Sequence, residues 1–304
     1  MNPVRGIALK LLSVALFAVM VACVKAAREV VPAGQAVFFR AFIALVPVLV
    51  WALVIGQLRA AIVTKNVRGH VWRGVISASA MTCGFAALGM LPLPEVTAIG
   101  FSAPLLTTVL AVLLLGETVR VYRWSAVAIG FLGVAVMIAP RLTALGAGVS
   151  EAEALGALIA LASAFLMALA IIHVRWLTRT EHTLAIVFWF HIACSVAALA
   201  TLPFGWVMPD PYLWALLIGA GLTGGLGQIV LTLSYRLADA STLAPFDYSM
   251  MIYSLITAWA LFGEIPSAQV LLGAAIVIAA GLFILMRERR LGLTKPAPLR
   301  RNTP

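Results

Sequence analysis

The stretch TAIGFSAPLLTTVLAVLLLGE (97–117) is written a second time, in altered letters, as LAPFDYSMMIYSLITAWALFGE (243–264). Each is a long apolar run closed by Gly-Glu, at Gly116-Glu117 and Gly263-Glu264, an offset of 147 residues (263 − 116). Earlier segments repeat as well. Near an offset of 150, Gly6, Ser13, Leu16, Ala18 and Val24 fall on Gly156, Ser163, Leu166, Ala168 and Val174. Lys25 falls on Arg175, and Phe38-Phe39 on Phe188-Trp189.

Composition says what kind of chain is duplicated. Of 304 residues, 63% are hydrophobic and only 11% charged, which is more apolar surface than a soluble domain of this size can bury. The mean hydropathy of +1.08 marks a polytopic membrane protein with the lipid bilayer as its partner. A net charge of +10 does not point to nucleic acid, because the basic residues are scattered between apolar runs and not gathered on one face. Cys23, Cys83 and Cys194 each sit in an apolar run and read as buried free thiols, with no metal or disulfide frame. Arg5, Lys10 and the apolar residues to Val24 have the charge pattern of a signal peptide, but the same segment recurs as the sixth span and so belongs to the repeat.

A spanning helix needs about 20 apolar residues. Ten such runs are predicted, at 7–24, 36–55, 71–91, 95–115, 123–140, 155–174, 183–203, 211–234, 241–262 and 268–286. The predicted fold is all-α, ten transmembrane helices forming two five-helix repeats, 1–146 and 147–290, followed by a basic cytoplasmic tail at 291–304. With the N-terminus in the cytoplasm, 17 of the 21 Lys and Arg lie on the cytoplasmic side. Lys25, Arg28 and Arg141 lie outside, and Arg40 lies within a span. That bias places both termini inside. Five is odd, so the second repeat enters the membrane inverted. Inverted repeats of this scale mark secondary transporters, with the ligand held near the midplane between the halves.

Candidate site residues follow from depth and chemistry. Arg40, Glu95, His191 and Asp247 are ionisable residues within or at the edge of spans, where charge is expensive and is paired or functional. Their depths suggest Arg40 with Glu95 and His191 with Asp247. Gly221, Gly224, Gly225, Gln228, Thr232 and Tyr235 share one helical face, and the mid-span amide of Gln228 needs a partner. Pro245, just before Asp247 and Tyr248, removes a backbone donor and disturbs its helix. Phe38, Phe101, Trp189, Tyr248 and Tyr253 offer stacking surface for a flat ring. Glu117 and Glu264 read as loop anchors at opposite faces. The sequence carries no GxxxxGK[ST], HExxH, CxxC or Gly-x-Ser-x-Gly motif, so neither ATP-driven motion nor enzyme chemistry is expected, and no cofactor.

The Gly-Glu-terminated spans, the count of ten and the duplication closely resemble the EamA-type branch of the drug/metabolite transporter superfamily over residues 6–290. Within it, Gly34-Gln35-Ala36-Val37-Phe38-Phe39-Arg40, Leu91-Pro92-Leu93-Pro94-Glu95 and Ala244-Pro245-Phe246-Asp247-Tyr248 are similar to the bacterial riboflavin-transporter group. Similar strings also occur in relatives handling amino acids, nucleoside-like metabolites or metal-chelating metabolites. The resemblance implies a gradient-driven carrier of a small organic metabolite in a bacterial-type inner membrane, with riboflavin as the best single cargo. The rivals are an amino-acid or drug exporter and, in another class, a membrane receptor or assembly subunit that binds without transporting. Direction, coupling ion and oligomeric state stay open.

Overall fold

The computed structural model describes residues 2–117, 119–143, 151–238 and 240–290. The 291–304 tail and the boundary between the two repeats, at 146/147, lie outside them, and so does the side chain of Arg141. The described chain is all-helical: α1 Pro3–Ala27, α2 Ala33–Val54, α3 Leu58–Ile62, α4 Val67–Leu88, α5 Leu93–Gly100, α6 Ser102–Leu115, α7 Val121–Thr143, α8 Glu151–Leu177, α9 Thr183–Leu199, α10 Pro211–Leu237, α11 Ala240–Leu243, α12 Ser249–Phe262 and α13 Ala268–Arg290. Lipid offers backbone groups no hydrogen-bond partners, so the apolar runs satisfy theirs within helices. The ends are set locally. Asn2, Asn66 and Asp210 accept the amides of Arg5, Gly69 and Leu213 as N-caps.

The repeated Gly-Glu is a helix stop. Gly116 and Gly263 end α6 and α12 in the left-handed region, at φ 65° and φ 64°, which costs glycine nothing. The next amides turn back identically, Glu117 N–H to the Ala111 carbonyl at 3.3 Å and Glu264 N–H to the Ala258 carbonyl at 3.0 Å.

Two of the predicted spans come out differently. Among the described residues, eight helices are long and apolar enough to cross a membrane, counting α5–α6 as one. The run predicted at 183–203 stops at Leu199, leaving a 17-residue helix and a 3-10 turn at Leu202–Phe204, because Pro203 and Gly205 cannot continue it. The run predicted at 241–262 is broken into α11, a 3-10 segment Ala244–Tyr248 and α12. Pro245, at the start of the 3-10 segment, removes the N–H that would have carried the helix through. Its counterpart run breaks too, at Phe101 between α5 and α6.

Packing comes in matched pairs. In the numbering of the repeat, α1, α2, α4, α5–α6 and α7 correspond to α8, α9, α10, α11–α12 and α13. α1 packs on α10, and α8 packs on α4; α2 packs on α10, and α9 on α4; α7 and α13 pack on each other. Phe101 and Tyr248, 147 residues apart, meet ring to ring at 5.2 Å between the halves. Around the outside, Phe42, Val46, Val50, Leu113, Trp259 and Ile265 are exposed, an apolar belt suited to acyl chains.

Candidate functional site

A cavity of about 650 Å³ opens between α1, α2, α4, α8, α9 and α10. Phe17 and Met20 of α1, Met81 and Phe85 of α4, Met167 of α8, Phe190 of α9 and Tyr235 of α10 make most of its wall apolar or aromatic. Ser77, Ser163 and Gln228 supply neutral polar groups, and Arg40, Arg73 and Arg175 the charges. A second depression, about 710 Å³, lies among loop residues such as Gln57, Arg59, Lys65 and Glu181. It is a dish on one face and does not reach between the spans.

Arg40 is buried, 6% exposed. Its Nε points at the Met20 sulfur at 3.3 Å and its Nη1 at the Met81 sulfur at 3.7 Å. A Cβ on Gly224 would stand 3.3 Å from Arg40 Nε, so the bare glycine leaves the guanidinium its room. Arg73 donates to the Ile186 carbonyl at 2.5 Å. Both guanidiniums lie over one ring, Phe190, at 5.7 Å for Arg40 and 4.7 Å for Arg73. His191 stands behind this cluster, fully buried, its ring nitrogens without hydrogen-bond partners among the described residues.

The pairings expected from depth are not those observed. Asp247 meets Lys10 at 2.5 Å, and Lys10 is only 2% exposed; it also lies 5.5 Å from the Tyr235 ring at the cavity wall. His191 therefore does not pair with Asp247, and Arg40 contacts methionine sulfur where Glu95 was expected. Depth counted from a helix end assumes a straight helix, and the break at Ala244–Tyr248 displaces Asp247. Lys10 and Arg73 were read from the sequence as cytoplasmic topology signals. Each lies inside an apolar run, at 7–24 and 71–91, which was the available hint.

The other sequence candidates are spread through the bundle. Arg40, Gln228 and Tyr235 line the cavity. Phe38 packs with Phe39, Phe42 and Trp206. Trp189 donates to the Ile62 carbonyl at 3.0 Å, on the short α3. Glu95 is buried near the start of α5, and Tyr253 lies partly buried on α12. The face carrying Gly221, Gly224 and Gly225 packs on α2 and Met20, while Gln228 and Tyr235 of the same face reach the cavity.

Two further ion pairs use repeat-related residues. Lys25 meets Glu264 at 2.8 Å, the two side chains 10% and 22% exposed. Lys25 also donates to the carbonyls of Leu88 and Leu91, and Glu264 accepts the Leu93 amide at 2.9 Å. The loop-anchor reading of Glu264 agrees with these contacts. At the other end of the bundle, Arg175 meets Glu117 at 3.6 Å, with both side chains open, 51% and 44% exposed. Arg175 corresponds to Lys25 and Glu117 to Glu264, so each repeat gives its base to one pair and its acid to the other. The cavity reaches the loose pair through Arg175.

Known proteins resemble this chain in sequence and in fold. The model of the EamA-like transporter family matches residues 4–139 and again 154–286. An S-adenosylmethionine uptake transporter of Rickettsia prowazekii is 29% identical over 256 residues, 84% of each chain. A riboflavin transporter of Rhizobium johnstonii is 30% identical over 222 residues, 73% of this chain and 71% of its own. A pseudopaline exporter of Pseudomonas aeruginosa is 29% identical over 280 residues, 90% of this chain and 94% of its own. One crystal structure superposes with a TM-score of 0.65 at 18% identity, over 94% of this chain and 98% of that one.

Proposed function

The chain belongs to the EamA-like transporter family, and on that footing we propose that it is a gradient-driven carrier of a small heteroaromatic metabolite, working by alternating access between inverted five-helix repeats at 1–146 and 147–290. The observation that carries this reading is the pair of crossed ion pairs. Lys25–Glu264 is tight and shielded while its counterpart Arg175–Glu117 is loose and exposed. Two halves that can exchange conformations would hold one gate shut and the other open, then trade. The matched helix packing and the twofold family match support the same duplication.

In this reading ten spans cross the membrane, the broken 240–262 segment among them, because broken helices are tolerated at membrane depth where they pack on protein or line a cavity. Both termini and the basic tail are cytoplasmic, so the open cavity faces the cytoplasm. Arg40 and Gln228 touch cargo in the cavity, Phe101 and Tyr248 form a shared contact between the halves, and Asp247 is the coupling carboxylate.

The relatives' names divide the cargo among S-adenosylmethionine, riboflavin and pseudopaline, and riboflavin keeps its place through the strings quoted at Phe38–Arg40 and Ala244–Tyr248. Export remains the rival direction, on the strength of the pseudopaline relative. The test is counterflow in proteoliposomes preloaded with riboflavin, S-adenosylmethionine or single amino acids. Accumulation of labelled riboflavin or S-adenosylmethionine against its preloaded form is expected. Thermal stabilisation by a ligand that never exchanges would make the protein a receptor, and exchange of amino acids alone would favour the exporter.

A further inference from the structure

We infer that the cavity is built for an anionic cargo, one whose carboxylate or phosphate is held between Arg40 and Arg73. The inference deepens the carrier reading and rests on it only for calling the ligand a cargo. It starts from charge. Among the described residues, the cavity wall holds Arg40, Arg73 and Arg175 and no aspartate or glutamate. Glu117, near Arg175, is half exposed and 3.6 Å away at the mouth.

A guanidinium taken out of water needs acceptors, and in folded proteins these are usually carboxylates or carbonyls. Arg40 has thioether sulfur, among the weakest acceptors a side chain offers, and its contacts leave most of its N–H donors without an oxygen partner among the described residues. Arg73 uses one donor on the Ile186 carbonyl, and its buried Nε has no partner among the described residues. Such a residue is costly to keep in lipid unless something else completes it. Both guanidiniums line the cavity and both lie over the Phe190 ring, so an oxyanion lodged between them would take a fork from each. A topology signal would sit near a membrane surface, but Arg40 lies in the second turn of α2 behind fully buried neighbours such as Ala36, Val37 and Ala41.

The aromatic and thioether wall suits a ring attached to that anion. Phe17, Phe85 and Tyr235 offer faces, and Met20, Met81 and Met167 adapt to an irregular outline. Riboflavin has the ring and no anion at neutral pH. A flavin phosphate, or a nucleoside-like compound with a carboxylate, has both.

Matched pairs of probes test this on the full chain in lipid nanodiscs: riboflavin against riboflavin 5′-phosphate, and the methyl ester of S-adenosylmethionine against S-adenosylmethionine itself. The first pair reports a phosphate, the second a carboxylate. In at least one pair the anionic member should bind about tenfold more tightly or better, as one charge-assisted contact implies. Arg40→Gln and Arg73→Gln should each erase that preference while the ring still binds, and Arg40→Lys should restore part of it. Equal binding within both pairs by the wild-type protein, or no binding by any probe, overturns the anion site without any variant having to fold. Counterflow on the same samples separates the two claims. Exchange of neutral cargo with no effect of either arginine would keep the carrier and discard the anion site. Anion preference without exchange would do the reverse.

Discussion

Asp247→Asn should abolish pH-driven accumulation of cargo while leaving exchange across the bilayer intact. The amide keeps the shape and much of the hydrogen bonding of the carboxylate, but it cannot ionise. Lys10, 2% exposed and 2.5 Å away, then faces a neutral partner. Losing one member of a fully buried pair costs about 3–5 kcal/mol. The Asp247 carboxylate is 53% exposed, so solvent screens part of this and about 2 kcal/mol is the better figure. Folded yield should therefore fall. Lys10→Met with Asp247→Asn removes both charges and should return the yield. The double variant should still fail to accumulate cargo, because this pair has no duplicate: the repeat puts Ala160 where Lys10 would recur and Gly100 where Asp247 would. An element present once in a duplicated machine is suited to coupling and unsuited to gating. Restored accumulation in the double variant, measured as uptake against an imposed pH gradient, would make the pair a structural clasp.

Lys25→Glu should open the gate that is now shut. The reversed charge faces Glu264 across 2.8 Å in a largely shielded position, and Lys25 loses its hold on the Leu88 and Leu91 carbonyls. Between the values for exposed and buried pairs, about 2 kcal/mol is at stake. That moves the ratio of the two states roughly 30-fold. The measurement is labelling of a single cysteine at Ser163, in a background without Cys23, Cys83 and Cys194, by a membrane-impermeant maleimide added from the Lys25 side. Labelling should rise in Lys25→Glu and fall back in Lys25→Glu with Glu264→Lys. Transport should follow the same order, lost in the single variant and partly recovered in the double. Unchanged labelling in Lys25→Glu would deny the pair any gating role.

Much of this was legible from the residues. The twofold reading of Gly-Glu located equivalent helix stops, and both glycines adopt the left-handed conformation that only a glycine takes freely. The length of the apolar runs found eight of the ten predicted spans as long helices, because burial in lipid is a one-dimensional property of the chain. The partners were not legible. Which side chain meets Asp247 depends on how α1 lies against the broken α12 segment, and no pattern within either helix encodes that. Arg73 and Lys10 were hidden by a rule that is right for most basic residues, that they mark the cytoplasmic side. The crossed ion pairs were closer to hand. Two bases at repeat-equivalent positions, and two acids likewise, can pair at opposite faces only if each repeat reaches across to the other.

The sulfur contacts of Arg40 would make the cavity sensitive to methionine oxidation. Met20 and Met81 now give the guanidinium little to hold. Oxidation to the sulfoxide would put a strongly accepting oxygen on either sulfur, within the same reach. The arginine would then be bound by its own wall, and an incoming anion would have to displace it. If the anion site holds, oxidants would then lower affinity for cargo and methionine sulfoxide reductases would restore it, with no change in the amount of protein in the membrane.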